Sequence, residues 1–303
     1  MWKNNPLGAR APIGEESSKG GSMATIEQGV SREEWDATNY ASKDNLLRVV
    51  SDEADAFFAL AEKPENWEMP TAAGHWQVRD LVGHLIDTTE GYLRRFEGAR
   101  AERQVDGIAP LNEMAINADK FALEFRGESQ EELIARARDS FSTAMKVFEG
   151  VNEEDWGGFM VTHAYMGTLP AFFYPIGQLM DYGVHSWDIR EGLRMNHFMS
   201  PDAADLLVPF MFVLWQATTD VSRLGGDTLQ VGIRVSGRNA GTTRVTVTSE
   251  GMAYEPGPAD DLPVLIDFDP ASLVLTAFGR YRSGTPYGDV SAANRFADLF
   301  FRI

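Results

Sequence analysis

The spacing of apolar residues predicts that the first half of the chain is helical. Between Ser42 and Leu60, leucine, valine, alanine and phenylalanine recur at intervals of three and four residues, as in an amphipathic helix. The same spacing predicts further helices over 78–97, 111–127, 131–148 and 170–193. Long helices joined by short connections are typical of an up-and-down bundle.

The pattern changes after residue 197. Ser200 as N-cap and Pro201 at the first helical position predict a helix that ends near Val221. Beyond it, apolar and polar residues alternate on both sides of a Gly-rich turn, which is the pattern of a β-hairpin. The remaining expected elements are hairpin strands over 228–236 and 242–248, a strand over 262–268, and helices over 269–279 and 292–301. The sequence therefore predicts a two-domain α+β protein with its boundary near residue 197.

Residues 1–28 resemble neither half. They are rich in Gly, Pro, Ser and Asn and hold no apolar run of signal-peptide length, so we expect a flexible leader. The expected domains are then a helical bundle over 29–197 and an α+β domain over 198–303. The longest strongly apolar stretch, Leu206–Trp215, has ten residues and is too short to span a bilayer. We expect a cytoplasmic protein with no membrane partner.

The net charge and the cysteine content exclude several kinds of partner and several kinds of site. The chain has 45 acidic against 27 basic residues, a formal net charge of −18, so nucleic acid and anionic lipid are poor partners. Cysteine is absent, which excludes disulfides, thiolate metal sites and a cysteine nucleophile. Any metal ion must be held by His, Asp or Glu.

Three residues in the helical half have a spacing that suits a metal ion. His84 lies on the apolar face of the second helix, and Asp181 precedes His185 by four residues on the last helix, so those two share a face. Facing helices can bring such ligands around one ion and leave a coordination position open. The alternative is a core histidine and a surface pair. The other histidines, at 75, 163 and 197, are expected in loops as solvated or locally hydrogen-bonded residues.

Three blocks of sequence, in order, resemble one family. The blocks are Trp76–Leu85, Asp181–Asp188 and Leu273–Arg280. They are similar to motifs of the mycothiol-dependent maleylpyruvate isomerases, a branch of the DinB-like metal-binding superfamily. The resemblance implies a DinB-like up-and-down four-helix bundle followed by a small sterol-carrier-like α+β domain.

The resemblance also implies a site and a chemistry. A divalent metal, usually zinc, would be held by His84, Asp181 and His185, although the family carries Glu where this chain has Asp181. Arg280 would serve catalysis by clamping a substrate carboxylate. Asp188, three residues after His185, is expected to point near the metal or to hold a ring N–H. The alternative is a carboxylate on the helix surface or one bonded to Arg79 or Arg190.

The implied reaction uses a low-molecular-weight thiol, mycothiol, as co-substrate. The metal would make its thiolate available, and the thiolate would attack a small-molecule electrophile, so the protein would act as an S-transferase or a maleylpyruvate-type cis–trans isomerase. Two alternatives stay open: a small-ligand-binding protein or inactive relative with a degenerate metal site, and a metal-dependent hydrolase. The oligomeric state also stays open.

Overall fold

The computed structural model describes residues 32–103 and 107–301, so the expected leader over 1–28 lies outside the described residues. The first part of the described chain is mainly helical. Its α-helices are α1 (Lys43–Ala61), α2 (Val78–Arg100), α3 (Met114–Glu124), α4 (Gln130–Glu149), α5 (Glu153–Gly158) and α6 (Phe173–Gly192). The apolar spacing predicted each of these except the short α5.

The long helices pack through their apolar faces. Helix α1 lies against α6 and α4, and α2 lies against α4 and α6. Leu46, Val50 and Phe57 of α1 are fully buried, and burying a side chain of this size contributes roughly 1.5–3 kcal/mol. The N-terminus of α2 is fixed by the buried Asp80, which accepts hydrogen bonds from Arg126 at 2.7 and 2.6 Å. Helices α2 and α6 also pack against each other.

A short β-hairpin, which the sequence pattern did not predict, precedes α6. Strands β1 (Met160–His163) and β2 (Gly167–Pro170) pair antiparallel. Each has only four residues, too few to show a periodicity. His163 therefore lies in a strand and is buried, so the expectation of a loop position is wrong.

The C-terminal part combines helices with a sheet. Helix α7 (Pro201–Thr218) begins as predicted, with the Ser200 side chain accepting a hydrogen bond from Ala203 N at 3.3 Å. It is followed by β3 (Leu229–Val235), β4 (Gly241–Thr248), β5 (Gly251–Pro256), β6 (Val264–Phe268), α8 (Pro270–Ala277), β7 (Thr285–Gly288) and α9 (Val290–Ala297). The strand order is β5-β4-β3-β6-β7, in which β3 and β6 are parallel and the other pairs antiparallel.

The helix predicted over 292–301 extends beyond the end of the observed helix α9. Helix α9 ends at Ala297 because the chain then pairs with the end of α7, where Phe301 N donates to Thr218 O at 3.0 Å. The predicted hairpin β3–β4 is confirmed, and the short edge strands β5 and β7 were missed.

The fold is mixed, with helices first and a sheet after α7. One hydrophobic cluster runs from α1 and α6 through α7 to the inner face of the sheet, and a second fills the space between α1, α2, α4 and α6. The expected division near residue 197 stays a prediction. None of the helices in the described ranges combines the length and apolar character that crossing a membrane requires.

Candidate metal centre

His84, Asp181 and His185 converge between α2 and α6. One ligand atom from each residue lies within 4.8 Å of the other two. His84 Nε2 and Asp181 Oδ1 are 3.7 Å apart, which is too long for a hydrogen bond. The two imidazole rings are perpendicular, with centroids 5.2 Å apart. The structure thus brings together the three residues that the spacing selected, with a gap between their polar atoms.

The indole ring of Trp76 covers one side of this triad. The Trp76 ring centroid lies 5.2 Å from that of His84 and 6.2 Å from that of His185. Its indole Nε1 donates a 2.7 Å hydrogen bond to Asp119 of α3, which holds the ring in place. Trp76 shields both histidines from bulk solvent.

Asp188 fixes the orientation of the His185 ring. Its carboxylate is fully buried, and Oδ2 lies 2.8 Å from His185 Nδ1. Although burial alone would raise it, hydrogen bonds from His185 and Arg280 hold the pKa of Asp188 below its usual value. The carboxylate is therefore an acceptor, so Nδ1 carries the ring proton and Nε2 keeps its lone pair. Burial lowers the pKa of His185, which favours this neutral ring.

Arg280 reaches the same carboxylate from the C-terminal part. Its Nε donates to Asp188 Oδ1 at 2.6 Å and its Nη2 to Oδ2 at 2.7 Å, while Nη1 donates to Phe278 O at 3.2 Å. Gly279, at φ 64°, permits the left-handed turn after α8 that presents Arg280. Arg280, which was expected to bind a substrate carboxylate, binds the carboxylate of Asp188 in this structure. Neither Arg79 nor Arg190, the partners considered for Asp188, forms this contact.

The remaining histidines lie outside the triad. His75 is exposed, with Nε2 2.8 Å from Asp119, and His197 Nε2 lies 3.1 Å from Glu191. His163 Nδ1 accepts hydrogen bonds from the backbone N–H groups of Tyr165 and Met166, each at 3.2 Å. His163 and His197 are therefore locally hydrogen-bonded and His75 is solvated, which are the two states expected for these residues.

Two further polar atoms on α6 lie close to the triad along the helix, and the sequence pattern did not predict them. Asp181 Oδ2 and Gln178 Nε2 are enclosed and have no hydrogen-bond partner within the described part of the chain. Gln178 precedes Asp181 by three residues and His185 by seven, so a polar row along the otherwise apolar α6 was the available signal.

The helical part of the chain matches a known protein family. Residues 47–190 match the family model of the mycothiol maleylpyruvate isomerase N-terminal domain. The resemblance that the three sequence blocks indicated is confirmed. No curated protein sequence matches the chain.

Solved structures share the fold at low identity. The crystal structure of the mycothiol-dependent maleylpyruvate isomerase is 14% identical, with a TM-score of 0.53 over 82% of this chain and 94% of that chain. A histidine-to-alanine mutant of that enzyme gives 13% identity, a TM-score of 0.54 and the same coverage of both chains. The colibactin self-resistance protein ClbS, in complex with dsDNA, is a looser match with a TM-score of 0.44, 16% identity and coverage of 50% of this chain and 95% of that chain. The first two matches show that the helical region and the sheet are arranged as in an isomerase of this type.

Proposed function

Because this chain belongs to the mycothiol maleylpyruvate isomerase family through residues 47–190, we propose that it is a metal-dependent, thiol-using enzyme. A low-molecular-weight thiol of the mycothiol type attacks a small electrophile, and the protein acts as an S-transferase or a maleylpyruvate-type cis–trans isomerase. The observation that carries the proposal is the convergence of His84, Asp181 and His185 within 4.8 Å.

The donor atoms fit a divalent cation such as zinc. Two imidazoles and one carboxylate are a ligand set that zinc accepts, with a position left open for a further ligand. The enclosed Asp181 Oδ2 has no partner in the described part of the chain, and the 3.7 Å gap to His84 leaves the other oxygen without a hydrogen bond there as well. An unpaired buried carboxylate oxygen such as Oδ2 is costly, and a cation would satisfy it.

Three residues around the triad would support metal binding. Asp188 holds the proton of His185 on Nδ1, which leaves the Nε2 lone pair for the metal. Arg280 balances the charge of Asp188, so the Asp188 carboxylate stays ionised although it is buried. Trp76 excludes water from one side of the site.

The thiol must come from outside, because the chain has no cysteine. A divalent metal held by the triad supplies the Lewis acidity that lowers the pKa of a thiol. The thiolate adds to the carbon–carbon double bond of a cis-enedione and forms one S–C bond. Rotation about the resulting single bond and elimination of the same thiolate give the trans isomer. Retention of the S–C bond, with protonation or loss of a leaving group, gives the transferase outcome.

The architecture is part of the same proposal. Helices α1, α2, α4 and α6 correspond to the DinB-like four-helix bundle, within residues 29–197, and residues 198–303 correspond to the sterol-carrier-like domain. A cytoplasmic location would give the enzyme access to cellular thiols.

The assembled triad favours an enzyme over a ligand-binding protein with a degenerate site. A metal-dependent hydrolase would use the same ligands but would turn over without added thiol. Thiol dependence therefore separates the two enzymatic alternatives.

Elemental analysis of protein purified without chelators tests the metal site. We expect about one divalent ion per chain, lost in His185→Ala and retained in His75→Ala, which removes an exposed histidine outside the triad. Thiol-dependent isomerisation of a maleylpyruvate-type substrate by the loaded protein tests the reaction. Absence of metal from wild type after zinc is added back would overturn the proposal.

A further inference from the structure

Arg95 is a buried cation with no counter-charge nearby. It lies on α2 and is only 8% exposed. Its Nη1 donates to Thr162 O at 3.0 Å, and Nε and Nη2 have no protein hydrogen-bond partner in the described ranges. No carboxylate of those ranges lies within 4.0 Å of its guanidinium. Buried guanidinium groups are ordinarily paired, because desolvating an unpaired charge is unfavourable.

Two further donors belong to His163, whose neighbour Thr162 accepts from Arg95, and to Tyr92, one turn before Arg95 on α2. The hydrogen bond to Thr162 O places the guanidinium next to His163, which is 7% exposed. Because His163 Nδ1 accepts from two backbone N–H groups, the neutral ring carries its proton on Nε2 and presents an N–H donor there. The Tyr92 ring centroid lies 6.0 Å from that of His163. Among the described residues, neither His163 Nε2 nor the Tyr92 hydroxyl has a hydrogen-bond partner.

This group of donors is on the same side of α2 as the triad. Arg95 follows His84 by eleven positions, which brings it back to nearly the same helix face, roughly 16 Å further along the axis. Long helical side chains point back toward the N-terminus, in this case toward His84. On α6, Gly177 leaves the space that the Tyr92 hydroxyl occupies, one turn before Asp181. Tyr92, one turn before Arg95 on α2, thereby reaches α6 one turn before Asp181.

We propose that Arg95, the Nε2–H of His163 and the hydroxyl of Tyr92 bind a carboxylate group of a small organic acid. A guanidinium fork matches the two oxygens of a carboxylate, and the neighbouring donors add hydrogen bonds to an ionised acceptor. Arg280 has its fork on Asp188, whereas Arg95 keeps Nε and Nη2 without a protein partner in the described ranges and can offer them to a ligand. This inference rests on the proposed function, because it locates one end of the electrophilic substrate relative to the triad.

Maleate binding to the zinc-loaded protein tests the subsite, with calorimetry as the readout. The variants are Arg95→Met and the matched control Arg94→Met, which removes the same charge from an exposed neighbour on the same helix. We expect Arg95→Met to weaken maleate binding by about 10- to 100-fold and Arg94→Met to leave it within about twofold. Dimethyl maleate, which lacks the charge, and inorganic phosphate, which is tetrahedral, should bind wild type far more weakly than maleate does.

A thermal scan without maleate separates ligand binding from a structural role. Replacing an unpaired buried cation by an apolar side chain of similar length should leave the melting temperature of Arg95→Met unchanged or raised. If that variant misfolds, His163→Phe provides the second test and should weaken maleate binding at least threefold. Equal maleate affinity in wild type and Arg95→Met would overturn the inference, as would equal affinity for phosphate or dimethyl maleate.

The metal content of each sample is measured in parallel. If wild type holds no zinc but binds maleate through Arg95, the proposed function fails and the subsite stands. If zinc and thiol-dependent turnover are present and the loss of Arg95 changes neither maleate affinity nor the Michaelis constant, the subsite fails and the proposed function stands.

Discussion

Arg280 and Asp188 are joined by two parallel hydrogen bonds, of 2.6 and 2.7 Å, although they are 92 residues apart in the chain. Asp188 in turn lies 2.8 Å from a nitrogen of His185. The C-terminal part therefore acts on the candidate metal site through one buried carboxylate. Arg280 is a positioning residue in this arrangement, because what it touches is Asp188.

Removing Arg280 should damage both the fold and the metal site. In Arg280→Ala the buried Asp188 loses its counter-charge, which costs about 3–5 kcal/mol of unfolding free energy. Loss of the group that orients a ligand should also weaken zinc binding about 10- to 100-fold. Urea unfolding and chelator competition measure the two effects. Arg282→Ala, at an exposed neighbour paired with Asp298, should change stability by less than about 0.5 kcal/mol. A variant of Arg280 with normal stability and zinc affinity but a raised Michaelis constant would point to the substrate clamp instead.

Removing metal should destabilise the wild-type protein through Asp181. At a zinc concentration a hundredfold above the dissociation constant, binding adds about 2.7 kcal/mol to the unfolding free energy. Asp181→Asn should lose this gain. Without metal, the variant should be at least as stable as wild type, because a neutral amide replaces an unpaired carboxylate. Thermal scans with zinc and with EDTA make the comparison. Equal stabilisation of both proteins by zinc would exclude Asp181 as a ligand.

Gly177 should tolerate no larger side chain while Tyr92 is present. A Cβ at this position would lie 2.6 Å from the Tyr92 hydroxyl oxygen, so Gly177→Ala should cost about 1–3 kcal/mol. Gly183→Ala, on the same helix with its nearest atom at 3.6 Å, should be neutral or up to about 1 kcal/mol stabilising, since alanine favours helices. Adding Tyr92→Phe to Gly177→Ala should restore part of the loss. Urea unfolding of wild type, Gly177→Ala, Tyr92→Phe and the double variant forms a double-mutant cycle. Strictly additive changes in unfolding free energy would contradict the contact.

His163 should make the protein less stable in acid. Burial, followed by the charge of Arg95, lowers the pKa of His163 from 6.5 to about 4, against a smaller opposing effect of Asp181. Between these two values the unfolded chain binds the proton and the folded chain does not, so stability falls as the pH falls. Each pKa unit corresponds to about 1.4 kcal/mol, so the full effect is roughly 3 kcal/mol.

The measurement is the urea midpoint from pH 7 to pH 4.5. His163→Gln should flatten this dependence relative to wild type. His75→Gln, at an exposed histidine, serves as the matched control and should leave most of it in place. Parallel pH profiles for wild type and His163→Gln would mean that His163 is not the titrating group.

Local spacing was enough to select the three candidate residues that the structure brings together. Asp181 and His185 share a face because they are four residues apart on one helix, and His84 lies on the buried face of another. Each of these two features belongs to one helix, so the periodicity of the sequence is enough to predict it. The packing of α2 beside α6 then brings the three residues together.

The partner of Asp188 could not be predicted in the same way. Its contact with Arg280 depends on how the segment after α8 packs against α6, and no local period encodes that. The same holds for the edge strands: β7 (Thr285–Gly288) contains Pro and Gly, which disfavour strands unless a neighbour such as β6 supplies the pairing. The burial of Arg95 could not be predicted either, because a charged residue on a helix is expected to face solvent.

The enclosed carboxylate of Asp188 has a consequence for how this protein can be recombined. Its counter-charge comes from the opposite half of the chain, so a chimera that joins residues 29–197 to the second half of a relative inherits a buried negative charge. Such a hybrid requires an arginine at the position of Arg280, on a turn of the same shape. Either half can therefore be exchanged only if the new half supplies the matching partner of the Asp188–Arg280 pair.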